Sequence, residues 1–295
     1  MFCECPFLCH LPELAMKLTI ITINRNNAVG LEKTMYSVAT QTFTDFEYIV
    51  VDGASTDGSV EVIRRFTGTF GDRIKWISEP DNGIYNAMNK GIAMATGQYC
   101  QFLNSGDYLT SDDVVEKMYK VLVESGFPSI LYGNMLKEMP DGRFLRDKSF
   151  AGEDITFLDF YTGTLNHSPA YIKKTLFEKY GLYDESLKIV SDWKWYLQAI
   201  IRGKEEPRYK DIDVTIFDMS GISEAAGSKE IIKAERDKVL KEFLPEAILK
   251  DYATYTHDIY VMRRLHRHPW AYKTVSFIER CLFKIEKRRR VKRII

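Results

Sequence analysis

Four short apolar runs, each closing on a cluster of polar residues, constrain this chain more than any other feature. Lys17–Ile23 (KLTIITI) closes on Asn24-Arg25-Asn26-Asn27, and Phe46–Val51 (FEYIVV) on Asp52 to Asp57. Ile74–Ile77 leads to Glu79-Pro80-Asp81-Asn82, and Tyr99–Leu103 to Asn104-Ser105-Gly106-Asp107. β-Branched and aromatic residues fill the runs, which therefore read as buried strands. Between them apolar residues recur at helical spacing: Leu31, Met35 and Val38, then Val60, Ile63 and Phe66, then Ile84, Met88, Ile92 and Ala95. Thr56 or Asp57 can cap the second helix, and Gly97 follows the third at the expected C-cap. This alternation predicts an α/β fold with a mostly parallel, doubly wound sheet flanked by helices. Ligands of such sheets bind at the carboxyl ends of the strands, where all four clusters fall. Singly, each cluster is also good turn chemistry, Asn-Ser-Gly-Asp included. Four along one sheet edge make a site.

Past Leu109, Ser111-Asp112-Asp113 opens a helix over Val114 to Glu124 with acids in its first turn. Ile130–Asn134 and Arg143–Leu145 flank Pro140-Asp141-Gly142 and predict a hairpin. From about residue 150 the clean alternation fails, with helices expected at Lys173–Tyr180 and after Ser191-Asp192-Trp193. The simplest division is a domain over 16–225 and a helical, basic region over 226–295. Residues 1–15, upstream of Met16-Lys17, read as a disordered extension. Cys3, Cys5 and Cys9 with His10 lack the paired spacing of a zinc site, and the two remaining cysteines suit a reducing cytosol.

The formal net charge of zero hides an asymmetry. Residues 263–295 carry 12 Lys and Arg against Glu279 and Glu286, a net +10 that leaves −10 on the rest. At 45% hydrophobic and 28% charged residues the composition is that of a soluble globular protein. No run of 18 apolar residues predicts a transmembrane helix, and the N-terminus lacks the pattern of a signal peptide. The chain also lacks Gly-x-Gly-x-x-Gly after a strand and Gly-x4-Gly-Lys-Ser/Thr, so NAD-dependent oxidoreductases and P-loop phosphotransferases are unsupported.

In order, ITINRNN, YIVVDGASTDGS, SEPDNGIYNAMNKG, GQYCQFLNSGD and IVSDWKWYL resemble the inverting family 2 glycosyltransferases of GT-A fold. The EPDNGIY and FLNSGD pair is similar to the branch that builds bacterial surface polysaccharides, of colanic-acid or capsule type. The resemblance implies transfer of a sugar from a nucleotide-diphosphate donor, UDP by family habit, to a glycan or lipid-linked acceptor with inversion. It implies a nucleotide-sugar site of Thr22, Asn24, Asp52, Asp81, Asn82, Lys90, Asn104 and Ser105, with Asp52 on the nucleobase or ribose. Asp107 matches the aspartate that holds Mg2+ or Mn2+ on the diphosphate, a hard cation suited to carboxylate oxygen. Asp192 falls on the catalytic-base position. The departures are Gly53 for a second aspartate, Met88 for an arginine, Asn104 for an aspartate and Ser191 for a glutamate.

Several residues carry two readings. Lys90 suits a phosphate contact or a solvated helix face, and His167 an acceptor pocket or a loop hydrogen-bonded to backbone. Of Trp193 and Trp195 at most one faces the site, Trp193 as an acceptor-pocket residue, with Trp195 in the core. Residues 266–295 mix aromatics with Lys and Arg, which suits an anionic membrane surface or a packed helix with a basic tip. No nucleic-acid motif accompanies them. The expected location is cytoplasmic, peripheral to the inner face of the plasma membrane. Two alternatives stand: a catalytically degenerate nucleotide-sugar-binding protein of the same fold, and a basic membrane-associated adaptor.

Overall fold

The computed structural model describes residues 17–139, 141–151, 154–219, 221 and 227–292, with side chains through 285. The proposed extension at 1–15 and three of the five cysteines lie outside them. The chain divides into two compact units, residues 1–236 and 237–295.

The alternation of the first hundred residues becomes β1 (Leu18–Asn24), α1 (Ala28–Ala39), β2 (Phe46–Asp52), α2 (Ser59–Phe70), β3 (Ile74–Ser78), α3 (Ile84–Met94) and β4 (Tyr99–Phe102). β1, β2 and β4 are buried at every residue, as unbroken apolar runs require. Leu31, Met35 and Val38 of α1 and Val62 and Ile63 of α2 close the core over them. Each such side chain contributes about 1.5–3 kcal/mol by leaving water. The N-cap of α2 is Gly58 instead of Thr56 or Asp57; Asp57, one residue earlier, accepts from Ser59 N, Ser59 Oγ and Ala28 N, tying the starts of α2 and α1 together.

Then follow β5 (Tyr108–Leu109), α4 (Val114–Glu124), β6 (Ile130–Glu138), β7 (Phe144–Asp147), α5 (Phe157–Thr162), β8 (Ala170–Lys173), α6 (Thr175–Tyr180) and α7 (Ser191–Tyr196). A π-helical stretch (Leu197–Arg202) extends α7, and β9 (Arg208–Phe217) and α8 (Ser228–Phe243) complete the series. The order across the sheet is β3-β2-β1-β4-β8-β6-β9-β5, with β7 pairing β6. Parallel pairing joins β1 to β2 and β4, and β2 to β3. Beyond β4 the sheet is mixed, since β8 runs antiparallel to both β4 and β6. The parallel expectation therefore holds for the alternating half and gives way where the alternation does.

The hairpin at 130–145 forms with longer arms, pairing Met135–Glu138 with Phe144–Asp147. Lys173 closes strand β8 instead of opening a helix. Gly97 is not the α3 cap; that is Ala95. A Cβ at Gly97 would stand 2.4 Å from Thr19 Oγ1 and 2.6 Å from the Lys17 carbonyl oxygen, so close approach to β1 explains the glycine. The 237–295 unit holds the rest of α8, with α9 (Glu246–His266) and α10 (Pro269–Lys292). Among the described residues no helix is long and apolar enough to cross a membrane.

Candidate active site

Parallel register aligns the strand ends. Asn24 pairs with Asp52, and Asp52 with Ser78. β4 continues the edge, Ser105 N donating to the Ile23 carbonyl at 3.0 Å. Over this edge lies a cavity of about 620 Å³, lined from these loops by Asn24, Asp81, Asn104, Ser105 and Asp107. From the second half of the chain His167, Asp192 and Trp193 line the same cavity. Eight of the twelve expected site residues therefore meet in one place. Its volume suits a nucleotide sugar.

The other four lie elsewhere. Thr22 is wholly buried and accepts from the Tyr48 hydroxyl at 3.0 Å. Asp52 is equally buried, one oxygen accepting from Asn24 Nδ2 (2.7 Å) and Ser55 Oγ (2.6 Å), the other from Ser55 N (2.9 Å) and Ser78 Oγ (2.7 Å). Burial opposes its charge, but these donors outweigh it and hold the carboxyl below its ordinary value. Asp52 thus ties Asn24, Ser55 and Ser78 together at the sheet edge. Lys90 is engaged by Glu79 Oε1 at 2.7 Å and the Pro80 carbonyl at 2.9 Å. Asn82 is exposed and also off the cavity. Membership of a polar cluster marks the loop and not which of its side chains turns inward.

Asp81 gains from the glycine at 53. A Cβ there would stand 2.2 Å from Asp81 Oδ2, so the space of the family's second aspartate is taken by another carboxylate. Asp81 accepts from Gly83 N at 3.0 Å and faces Arg25 at 3.5 Å.

Asp107 sits where β5 meets β9. Its Oδ1 accepts from Asp218 N at 2.9 Å, while Oδ2 is buried without a partner. Burial, helped by the neighbouring Asp218 charge and opposed by that backbone N–H and His167, pushes its carboxyl up to about 7. Asn24 Oδ1 and Asn104 Oδ1 are likewise buried and unpartnered. Three orphaned acceptors around one cavity need donors or a cation from outside the chain. Asn104 and Asp107 offer the hard oxygens that Mg2+ or Mn2+ prefers, fitting a metal shared with a diphosphate. Among the described residues no group of three or more His, Cys, Asp or Glu is placed to hold a metal alone.

Asp192 is held at the start of α7. Tyr85, from α3, places its hydroxyl 3.0 Å from Asp192 Oδ1, and it also donates to the Ile189 carbonyl. His167 Nδ1 stands 3.2 Å from Asp192 Oδ2, and its Nε2 3.3 Å from Asn104 Nδ2. Burial disfavours the Asp192 charge, yet His167 and Tyr85 hold the carboxyl below its ordinary value. The His167 imidazole is correspondingly raised, Asp192 and Asp107 overcoming the effect of burial. So Asp192 is an ionised carboxylate able to accept a proton at neutral pH. Glu235 of α8 accepts from Lys188 N (2.6 Å), Ile189 N (3.0 Å) and Val190 N (3.2 Å), clamping the segment just before it.

Trp193 donates its indole N–H to the Phe160 carbonyl at 2.9 Å, and the Arg236 guanidinium covers its ring at 4.7 Å. At 2% exposure little of the ring is open to a sugar. Trp195 packs in the core on Phe177, Tyr183 and Tyr196. Tyr85, Asp218, Glu235 and Arg236 escaped the sequence reading. Only Tyr85, inside EPDNGIY, and Asp218, just past the apolar end of β9, carried a local signal.

Residues 19–187 match the model of Glycosyl transferase family 2, and the chain belongs to that family of glycosyltransferases. It is 27% identical over 222 residues to a PGL/p-HBAD biosynthesis glycosyltransferase of Mycobacterium bovis, covering 74% of this chain and 84% of that protein. Among solved structures it is similar to S. aureus TarS 1-349 in complex with UDP, with TM-score 0.57 and 20% identity over 68% of this chain. The chain spans 60% of the length of that TarS chain. It is also similar to the Pyrobaculum calidifontis mannosyltransferase PcManGT in complex with GDP-Man and Mn2+, with TM-score 0.56 and 18% identity over 88% of this chain and 72% of the other. The fold is GT-A.

Proposed function

We propose that the chain transfers a sugar from a nucleotide-diphosphate donor to a glycan or lipid-linked acceptor with inversion, using Asp192 as base and a divalent cation at Asp107. The observation that carries this is the meeting of Asp107, Asn104, His167 and Asp192 around one cavity. Metal-dependent chemistry is supported by the orphaned oxygens and by the Mn2+ in the PcManGT complex. UDP is favoured as the nucleotide because the TarS complex holds it.

Asn24, Asp81 and Ser105 bind the nucleotide, and Asn104 and Asp107 orient its diphosphate. Asn104 and Asp107 would hold the cation, which would supply charge neutralisation of the diphosphate leaving group. Asp192 takes the proton of the acceptor hydroxyl while that oxygen bonds to the anomeric carbon and the carbon–diphosphate bond breaks. Attack opposite the leaving group inverts the anomeric configuration. His167 holds Asp192 ionised and oriented throughout.

The test is release of UDP or GDP from a panel of sugar nucleotides, which water alone can support. Asp192→Asn is expected to lower the rate roughly 100- to 10,000-fold with donor affinity unchanged. A variant that keeps its rate would remove Asp192 from this role.

Work on polysaccharide precursors at the cytoplasmic face of a membrane fits the composition of α10. Trp270, Phe277, Ile278, Leu282 and Phe283 are exposed along it, interleaved with Lys273, Arg280 and Lys284. Exposed apolar side chains interleaved with cations suit peripheral binding to anionic lipid. The full expected segment, 266–295, extends past the described side chains. Sedimentation with vesicles containing phosphatidylglycerol should exceed that with neutral vesicles and weaken with salt; equal sedimentation would count against it.

A further inference from the structure

Arg236 is a cation in the cavity wall for which the transfer step has no use. It braces on Trp193 and donates from Nη2 to the Gly163 carbonyl at 3.0 Å. Its Nε is buried without a partner. Among the described residues no carboxylate lies within ion-pair distance of it. Of the other cavity cations, Arg25 faces Asp81 at 3.5 Å and Lys137 faces Asp147 at 3.3 Å, while Lys188 is exposed to solvent. Burial pulls the Arg236 guanidinium below its ordinary value, with the Asp192 charge acting against that. The side chain has given up water and gained no carboxylate in direct contact.

Its position gives the missing anion an address. Arg236 stacks at 4.7 Å on Trp193, the residue after Asp192, and lines the cavity with both, whereas Asp107 lies against Asp218. In a displacement with inversion the acceptor hydroxyl lies at the base, on the side away from the diphosphate. Arg236 therefore stands on the acceptor's side. Ile189, Val190 and Ile232 line the same stretch of wall, with the exposed Lys188 beside them.

We propose that Arg236, braced on Trp193, is an oxyanion subsite for the acceptor, which carries a phosphate or carboxylate next to an apolar portion. The proposal rests on the transfer reading above, with Asp192 as base. A guanidinium offers a planar fork of donors to such an oxyanion, and binding would satisfy Nε. Two sources share this chemistry: the phosphate of a lipid-linked acceptor and the carboxylate of an acidic sugar. If Arg236 instead serves only to balance Asp192, the cleft has no reason to prefer charged over neutral ligands.

The test uses three probes with one isoprenoid tail, citronellyl phosphate, citronellate and citronellol, titrated calorimetrically into the full chain and into R236Q. The wild-type protein is expected to bind at least one anion about tenfold or more tightly than the alcohol, and R236Q to lose that preference. Tighter phosphate binding identifies the lipid-linked source, and tighter carboxylate binding the acidic sugar. Equal binding of all three by the wild type, or a preference kept in R236Q, overturns the subsite. Should R236Q lose its cooperative unfolding transition, R236K keeps the charge without the fork; a reduced preference supports the proposal and an unchanged one overturns it. Titration of the same proteins with UDP and GDP stands apart. If neither UDP nor GDP binds the wild type, the transfer reading falls, whatever the anions do.

Discussion

His167 stands between Asp192 and Asn104, its Nδ1 3.2 Å from the carboxylate Oδ2 and its Nε2 3.3 Å from the amide nitrogen. One imidazole thereby ties the base to the loop that carries Asp107. His167 titrates above its ordinary 6.5 and Asp192 below its ordinary 3.8. The raised histidine stabilises below 6.5 and loses this as pH rises through its folded value. The depressed aspartate stabilises above 3.8 and loses this as pH falls through its own. Together they stabilise most between those two values. His167→Gln should cost most stability near pH 5–6 and least near pH 9, read by thermal unfolding. It should also move the acid limb of the pH–rate profile upward, because only Tyr85 and the Trp193 backbone N–H then oppose burial at Asp192. An unmoved limb would show that His167 does not hold the base ionised.

Gly53 and Asp81 make a second, local prediction. The Cβ of Gly53→Ala would overlap Asp81 Oδ2, the end of a movable side chain, so the fold should persist while Asp81 turns away. Nucleotide affinity is expected to fall roughly tenfold, about 1.4 kcal/mol, with little change in Tm. Unchanged affinity would show that Asp81 does not contact the donor.

Asp107 has the opposite sign from Asp192. Its carboxyl is pushed up to about 7 by burial, so the folded state keeps a proton that the unfolded chain releases. Metal-free protein should lose stability as pH rises from about 4 through 7, by on the order of a few kcal/mol. Asp107→Asn removes the slope, gaining Tm at pH 8 and nothing at pH 4. Mn2+ should raise the parent's Tm at pH 8 and leave the variant's unchanged.

The sheet edge was legible because it is local: a run of apolar residues and the polar residues that end it are neighbours in sequence. The same locality limits what can be read. Thr22, Asp52, Asn82 and Lys90 belong to the right loops, but only packing decides that Asp52 is enclosed by Asn24, Ser55 and Ser78 or that Lys90 turns to Glu79. Gly53 read as a lost contact, and only the folded chain brings Asp81 into its place. Tyr85 reaches Asp192 from α3, and Glu235 of α8 reaches the segment before it, across separations that no spacing rule spans. Helices and parallel strands near the start obey their periods. The antiparallel β8 depends on long-range pairing with β4 and β6, and its sequence gave no comparable signal.

Glu235 tests that long-range support. Its two oxygens accept three backbone N–H groups at Lys188, Ile189 and Val190. Glu235→Gln keeps one accepting oxygen and loses the charge, which should cost about 2 kcal/mol. Because Asp192 follows directly, kcat is expected to fall roughly 10- to 100-fold with UDP affinity intact. A loss of stability with kcat unchanged would make Glu235 a fold anchor alone.

The most direct measurement is calorimetric titration of UDP and GDP, with and without Mn2+, into the wild-type protein, Asp107→Asn and Asp192→Asn. We expect one nucleotide to bind at least tenfold more tightly with Mn2+, the difference to vanish in Asp107→Asn, and Asp192→Asn to bind as the wild type does. Absence of binding by both nucleotides, or metal dependence that survives in Asp107→Asn, would contradict the site.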